Sequence, residues 1–444
     1  MKNMNTKKYS SAFKIMVIIT GLLITANTYC QSSDASIVKT TTLGKNDVVY
    51  VRNPALDVDI NTWDRNVLKI EYQLSVKAGS EEDIRDFYSA FQEALTRQFK
   101  DAGSGDVYAN VQFSSYTRNN DKTKLKIKGD DHVYNLEKFD GSIVIYMPKS
   151  NSLNAKTSFH KLNIEDLGAD ATIDISSAGL TMGNCRKLDL KASFSKNMKI
   201  GKTESAKMSL NSSDVEMEAI ESDLDLEANF SNIEIAGIGN KAELDLNSSS
   251  METSDIGSLD LKGSFIRSFT ANNIGIAGIS INSSKFEAKK ITTVNVGKIT
   301  FSTLKIDETG NIDIGTSSSS KFYFESANSI KAASCSFSDF EIGNLSRLFT
   351  LVAQSGNVKL NNVGKGFDKI DINGTFLTTS IHVFPGSSYL ISADMSFPDY
   401  DFGNINIKSH QKDMSHEKIE GWKGSDKSNS GINLNCQSCR ITVD

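Results

Sequence analysis

The residues best suited to chemistry in this chain are carboxylates that recur. Asp189, Asp225, Asp245, Asp260 and Asp313 stand at matching places in a repeated phrase, with Ser209, Ser280 and Asn295 at that place in other copies. Oxygen ligands in file suit a hard cation such as Ca²⁺. Without one, carboxylates a strand spacing apart, ~4.8 Å, repel by roughly 1 kcal/mol in water. A solvated outer face with Lys191 and Lys262 nearby accounts for the same residues, and it is the reading adopted. Sugar cleavage, the other carboxylate chemistry, needs a pair about 5–10 Å apart, or a base beside an arginine or a metal. Here the acids recur along the repeat instead of gathering at one place, and Arg186, Arg267 and Arg347 are scattered.

Cys436 and Cys439 form C-Q-S-C. A CxxC serves as a redox pair, half a metal site or a small disulfide. With no second CxxC and no βαβ pattern around it, a structural pair is expected. Cys185 and Cys335 fall in repeat positions as small apolar fillers. His132, His160, His382, His410 and His416 are dispersed, and the six-residue gap between the last two is not the i, i+4 spacing of a helical metal pair. G-x-S-x-G, a Walker A loop and G-x-G-x-x-G before a helix are absent, and the I-G-I-A-G run at 274–278 reads as a turn. No catalytic, cofactor-binding or metal-ligating residue is assigned.

The elements that position these residues repeat in two phrases. L-D-L-K-A-S-F at 188–194 returns as L-D-L-E-A-N-F at 224–230 and L-D-L-K-G-S-F at 259–265. Between the copies come M-S-L-N-S-S at 208, L-D-L-N-S-S at 244 and I-S-I-N-S-S at 279. Apolar and polar residues alternate, as in a half-buried strand. With the leucines of the two phrases aligned, the steps alternate between about 20 and 15 residues, too few for a unit that folds alone. These features predict an all-β chain: a right-handed parallel β-helix over 151–402, with coils of about 15–20 residues.

In that arrangement Leu188, Met208, Leu224, Leu244, Leu259 and Ile279 form one inner column. Leu190, Leu210, Leu226, Leu246, Leu261 and Ile281 form a second. Ala192, Ser212, Ala228, Ser248, Gly263 and Ser283 mark the bend. Phe194, Phe230 and Phe265 are placed inside by alternation, in every other coil. Asn211, Asn247 and Asn282 are expected to exchange amide hydrogen bonds from coil to coil.

Residues 31–150 lack the repeat and read as a β-rich region with one helix over 80–100. Ile84, Phe87, Tyr88, Phe91, Leu95 and Phe99 share one helical face, Ser80 and Asp83 form a cap, and Gly103 stands beyond the end. The polar run at 403–431 reads as a loop or linker, and 432–444 as a C-terminal strand that ends the stack or pairs back onto another coil. Residues 1–30 read as a signal peptide, with Lys7, Lys8 and Lys14 before the apolar run 15–25. Cys30 fits a lipidation box poorly. A net charge of −5 with no basic stripe argues against nucleic acid, and no later run is apolar enough to cross a membrane. With 39% hydrophobic residues, one large spherical core is not expected.

L-D-V-D-I-N-T-W-D-R-N-V-L-K-I-E-Y (56–72), with its Trp63–Asp64 turn, and I-V-I-Y-M-P-K-S-N-S-L-N-A-K-T-S (143–158) resemble a bacterial putative-adhesin family of domains of unknown function. The chain departs from that pattern at F-H-K (159–161), where relatives carry a Gly-containing turn. The resemblance implies a secreted or envelope-associated β-solenoid and transfers no catalytic residue. The function expected is a non-catalytic, adhesin-like binding or structural protein, with a protein or glycan ligand at the cell surface and no cofactor. The alternatives are a polysaccharide-acting β-helix enzyme, lyase or hydrolase, and an envelope sensor that binds a protein partner through 32–150.

Overall fold

The computed structural model describes residues 32–100, 105–119 and 122–444. The signal peptide, Cys30 and Gly103 lie outside these residues, and the Phe99 side chain is not among those described. The protein is all-β apart from one helix and carries about 13 solenoid turns. It divides into two compact units, the first ending at Cys185 and the second spanning Arg186–Asp444.

In the first unit, Val67–Ala78 lies antiparallel between Ser32–Thr42 and Tyr134–Pro148. The helix Glu81–Lys100 packs on this sheet. Ser80 caps it as expected: its hydroxyl accepts the Asp83 N–H at 3.1 Å and donates to the Asp83 carboxylate at 2.8 Å. Phe91 meets Tyr72 edge-on at 5.0 Å, and Phe87 meets Phe139 at 5.8 Å. The Trp63 indole donates to the Val67 carbonyl at 2.7 Å and stacks on Tyr146, which fixes the turn between the strands Asp57–Trp63 and Val67–Ala78. Solenoid pairing already involves this region. Val49–Arg52 runs parallel to Leu153–Lys156, and Val58–Ile60 to Leu162–Ile164. At F-H-K, Phe159 takes φ 65° and is largely exposed, so a phenylalanine occupies a left-handed turn.

In the second unit each coil is a parallel rung. Met208 lies beside Leu226, Leu226 beside Leu244, Leu244 beside Leu261 and Leu261 beside Ile279. Ala206, Leu224, Ala242, Leu259 and Ala277 form the neighbouring inner column. Over these coils the step is therefore nearly uniform, 18 residues from Met208 to Leu226 and 17 from Leu244 to Leu261, and it lengthens to 21 from Phe349 to Ile370. The expected 20/15 alternation is corrected. The two phrases are offset by two residues, so Leu224 stacks on Ala206 and not on Met208. Burying one leucine contributes about 1.5–3 kcal/mol, which makes these columns the main source of stability. A further inner column carries aromatics in adjacent coils, with Phe269 on Phe286 at 4.9 Å and Phe322 on Phe340 at 4.6 Å. The I-G-I-A-G run lies inside the strand Ser268–Asn282, where a Cβ on Gly275 would stand 2.4 Å from the Gly257 carbonyl oxygen.

The C-terminal reading also changes. Residues 403–431 are not a plain loop, because they hold the strands Asn406–Lys412 and His416–Lys423, antiparallel to each other. His416–Lys423 also pairs with Tyr389–Ser396. The reason is local alternation: Glu417 and Ile419 point inward between exposed or half-buried neighbours. Gly431–Gln437 pairs back, running parallel between Lys369–Thr375 and Leu390–Ser396. With Arg440–Val443, which runs parallel between Thr378–Ile381 and Asp399–Asp401, it forms an inserted rung. Leu434 sits between Ile372 and Ala393.

Candidate functional site

The corner of each coil in the second unit is one residue held at positive φ. Phe194, Phe230, Phe265, Phe301, Phe337, Phe376 and Phe397 occupy it with φ between 48° and 55°, and are 58–66% exposed. Ser212, Ser248, Ser283, Ser319 and Ser355 hold the same conformation in the intervening coils. The expectation that Phe194, Phe230 and Phe265 point inward is wrong. Strand alternation places residue 194 with Leu188 and Leu190, but the left-handed turn breaks the alternation and throws the ring outward. Ser212, Ser248 and Ser283 share this corner, whereas Ala192, Ala228 and Gly263 lie two residues before it.

Backbone pairing runs straight through the corner. The Phe194 N–H donates to the Asn211 carbonyl at 2.9 Å, Ser212 to Asn229 at 2.9 Å and Phe230 to Asn247 at 3.0 Å. A buried serine follows most corners. The Ser195 N–H donates to Ser213 Oγ at 3.1 Å, Ser213 to Ser231 at 3.2 Å and Ser231 to Ser249 at 3.1 Å. Each hydroxyl donates back to the carbonyl before its own corner, as Ser231 does to Asn229 at 2.8 Å. A left-handed Phe is costly without such support. The ladder explains why N-S-S recurs in the sequence. The Asn211, Asn247 and Asn282 amides do not form the expected ladder either. Each accepts a hydrogen bond from the hydroxyl of the next serine, at 3.3 Å.

The alternation of ring and hydroxyl is kept in space even where the sequence breaks it. Phe376 and Phe397 have no corner serine between them along the chain. The inserted C-terminal rung places Ser438, φ 53°, between them, because Gln437 pairs with both Thr375 and Ser396. Every residue immediately before a corner in this unit is Ser, Asn, Thr or Gln, from Ser193 to Gln437. The result is a strip with one aromatic ring in every second coil, flanked on the side before the corner by uncharged groups that both donate and accept, with charged residues such as Lys196, Asp214, Arg267 and Lys285 two positions past it.

The acidic column differs from expectation in its neighbours. Asp225 stands beside Glu243 and Glu243 beside Asp260, while Asp245 lies between Glu227 and Lys262. Lysines interleave with the acids. Lys207 meets Asp225 at 2.7 Å, Lys262 meets Asp260 at 3.8 Å, and Lys241 is bonded to Glu243. The Lys207 ammonium is held above its ordinary range by the Asp225 hydrogen bond. Among the described residues no group of three or more His, Cys, Asp or Glu side chains is placed to hold a metal. Cys436 and Cys439 form a disulfide with Cα atoms 5.9 Å apart.

The structure brings together one polar cluster that spacing did not reveal. The buried Glu417 carboxylate accepts from Tyr400 Oη at 2.8 Å, lies 3.0 Å from His410 Nε2 and pairs with Lys412. The Lys412 hydrogen bond, then those of Tyr400 and His410, lower its pKa to about 2. Burial and the Glu417 carboxylate push the Tyr400 phenol up to about 12. His416 lies 3.1 Å from Asp394, His382 3.5 Å from Asp444, and His160 3.7 Å from Asp57. His132 packs edge-on to Tyr134. All of these histidines serve local pairs.

The fold defines a β-solenoid with a ribbed aromatic corner. No family model matches the chain, and no curated protein matches it. Two solved structures are similar. A "putative cell adhesion protein" from Clostridium sporogenes is 8% identical, with 92% of this chain and 98% of that one covered and a TM-score of 0.12. A "putative adhesin" from Parabacteroides merdae is 14% identical, covering 69% and 95%, with a TM-score of 0.20. Likeness at that level carries no argument about binding.

Proposed function

We propose that this chain is a non-catalytic, adhesin-like β-solenoid, secreted or held at a bacterial cell envelope, that binds a surface ligand along its aromatic corner. The observation that supports this reading most is the seven-ring file, exposed at a strained backbone position and preserved across the inserted rung. Exposed apolar groups repeated in order mark interaction surfaces, and strain that persists marks function more often than neglect. The outer carboxylates are spread along the coils and interleaved with lysines, a poor arrangement for acid–base cleavage of a sugar bond.

The test uses beads coated with the full chain, applied to bacterial and epithelial cell layers, alongside a panel of polysaccharides assayed for released ends. Retention above albumin-coated beads without product release is expected. Retention no better than albumin, or measurable cleavage, overturns the proposal.

A further inference from the structure

We infer that the aromatic corner binds an extended, uncharged β-1,4-linked glycan chain laid along the coil axis. This rests on the adhesive reading above and names its ligand class.

Three observations converge on it. First, the outer rings are kept two coils apart, roughly 9.6 Å at the usual strand spacing. Inside the same unit the rings of Phe269 and Phe286 stack in adjacent coils at 4.9 Å. Contiguous stacking is therefore available to this fold, and the outer file does not use it. The gaps are set by serines in the same backbone conformation, including the Ser438 that arrives from the chain end. A β-1,4-linked chain turns each ring over relative to the last, so it presents the same face at every second sugar. It also advances by close to one coil height per ring. Every second sugar thus meets a Phe, and its neighbour meets a serine.

Second, the chemistry fits a neutral polyol. A sugar ring offers an axial C–H face to an aromatic ring and hydroxyls at its rim. Residues such as Asn229, Asn247, Asn282 and Thr300 beside the corner supply donors and acceptors without charge. The corner residues and those just before them carry no cation for an acidic polysaccharide, and two positions further Lys196 and Lys285 are paired with Asp214 and Glu287 while Arg267 is bonded to Asn232. Third, a file of equivalent weak sites suits a polymer, because each further ring engaged becomes an intramolecular step.

Cellohexaose and chitohexaose are the probes, with maltohexaose and polygalacturonate as controls, titrated by calorimetry into the full chain and into a Phe265→Ser/Phe301→Ser/Phe337→Ser variant. Serine already occupies alternate corners at the same φ, so the variant keeps the native backbone, and its circular dichroism and melting are checked against wild type. Binding of at least one β-1,4 hexasaccharide is expected, weakened about tenfold or more in the variant, with maltohexaose and polygalacturonate bound much less. No binding to either probe, equal binding to maltohexaose, or undiminished binding by the folded variant overturns the inference. So does a wild-type dimer in light scattering that the variant dissolves while no sugar binds, which makes a second copy the occupant. If coated beads still adhere to cells while both probes fail, the glycan assignment falls and the adhesive reading stands. If adhesion fails as well, both fall.

Discussion

The Ser213 backbone N–H donates to the hydroxyl of Ser231, one coil further on, and that hydroxyl donates to the Asn229 carbonyl. One buried side chain thus serves both its own corner and the coil before it. Truncating it leaves the Ser213 N–H unpaired in a dry place, while the Asn229 carbonyl keeps the Ser212 N–H. Ser231→Ala is expected to lower stability by about 1–3 kcal/mol, read by urea denaturation. A change near zero would mean that the corners hold their shape without the ladder.

Calcium is not expected to matter. Lys207, Lys241 and Lys262 already stand against Asp225, Glu243 and Asp260, and Lys262 lies beside Asp245, which leaves little repulsion in the column for a cation to relieve. Melting temperature with EDTA should equal that with millimolar Ca²⁺. A clear drop on chelation would reinstate the column as a metal site.

Acid should act on the C-terminal hairpin through Glu417. Its carboxyl falls from an ordinary 4.5 to about 2 in the folded chain. A depressed carboxyl stabilises the fold above its unfolded value and loses that contribution as pH falls toward the folded one. Wild type should therefore lose more stability between pH 4.5 and 2 than Glu417→Gln, compared by chemical denaturation. Parallel curves would show that the cluster is not coupled to folding.

Leu434 tests the inserted rung. It lies between Ile372 and Ala393 and is buried. Leu434→Ala should cost about 2–5 kcal/mol. In hydrogen exchange the loss should appear in 389–401 and 416–423 before it reaches coils near 208–282. Uniform loss across the unit would mean that the stack opens as a whole.

The sequence disclosed the coil architecture and the inward faces but misplaced the neighbours, for a definite reason. A strand repeats its faces every two residues, so a slip of one turns the core outward while a slip of two preserves every inside and outside assignment. Aligning Leu188 with Met208 made a slip of two. Aligning Phe194 with Ser212 instead gives 18 residues and the observed register. The outer position of Phe194 was hidden because alternation fails at a left-handed residue, and neither Phe nor Ser announces one as Gly does. The pairing of 431–437 with 369–375 was open in principle from its alternation. Its position between two earlier coils was not, since no local pattern encodes which edge a strand will choose. The helix face and its cap, by contrast, depend only on near neighbours, and both were legible.

The rung at 431–437 has a consequence for how the molecule comes into being. A polypeptide grows from its N-terminus, and earlier coils can stack as they emerge. The place between 369–375 and 390–396 stays vacant until residues 431–437 are made. Until then two backbone edges lie unpaired, a state open to edge-to-edge association. The finished solenoid is in this sense self-auditing: only a chain that extends through 431–443 can fill the gap between its own earlier coils, and a product cut short before them carries an open slot by which it can be told apart.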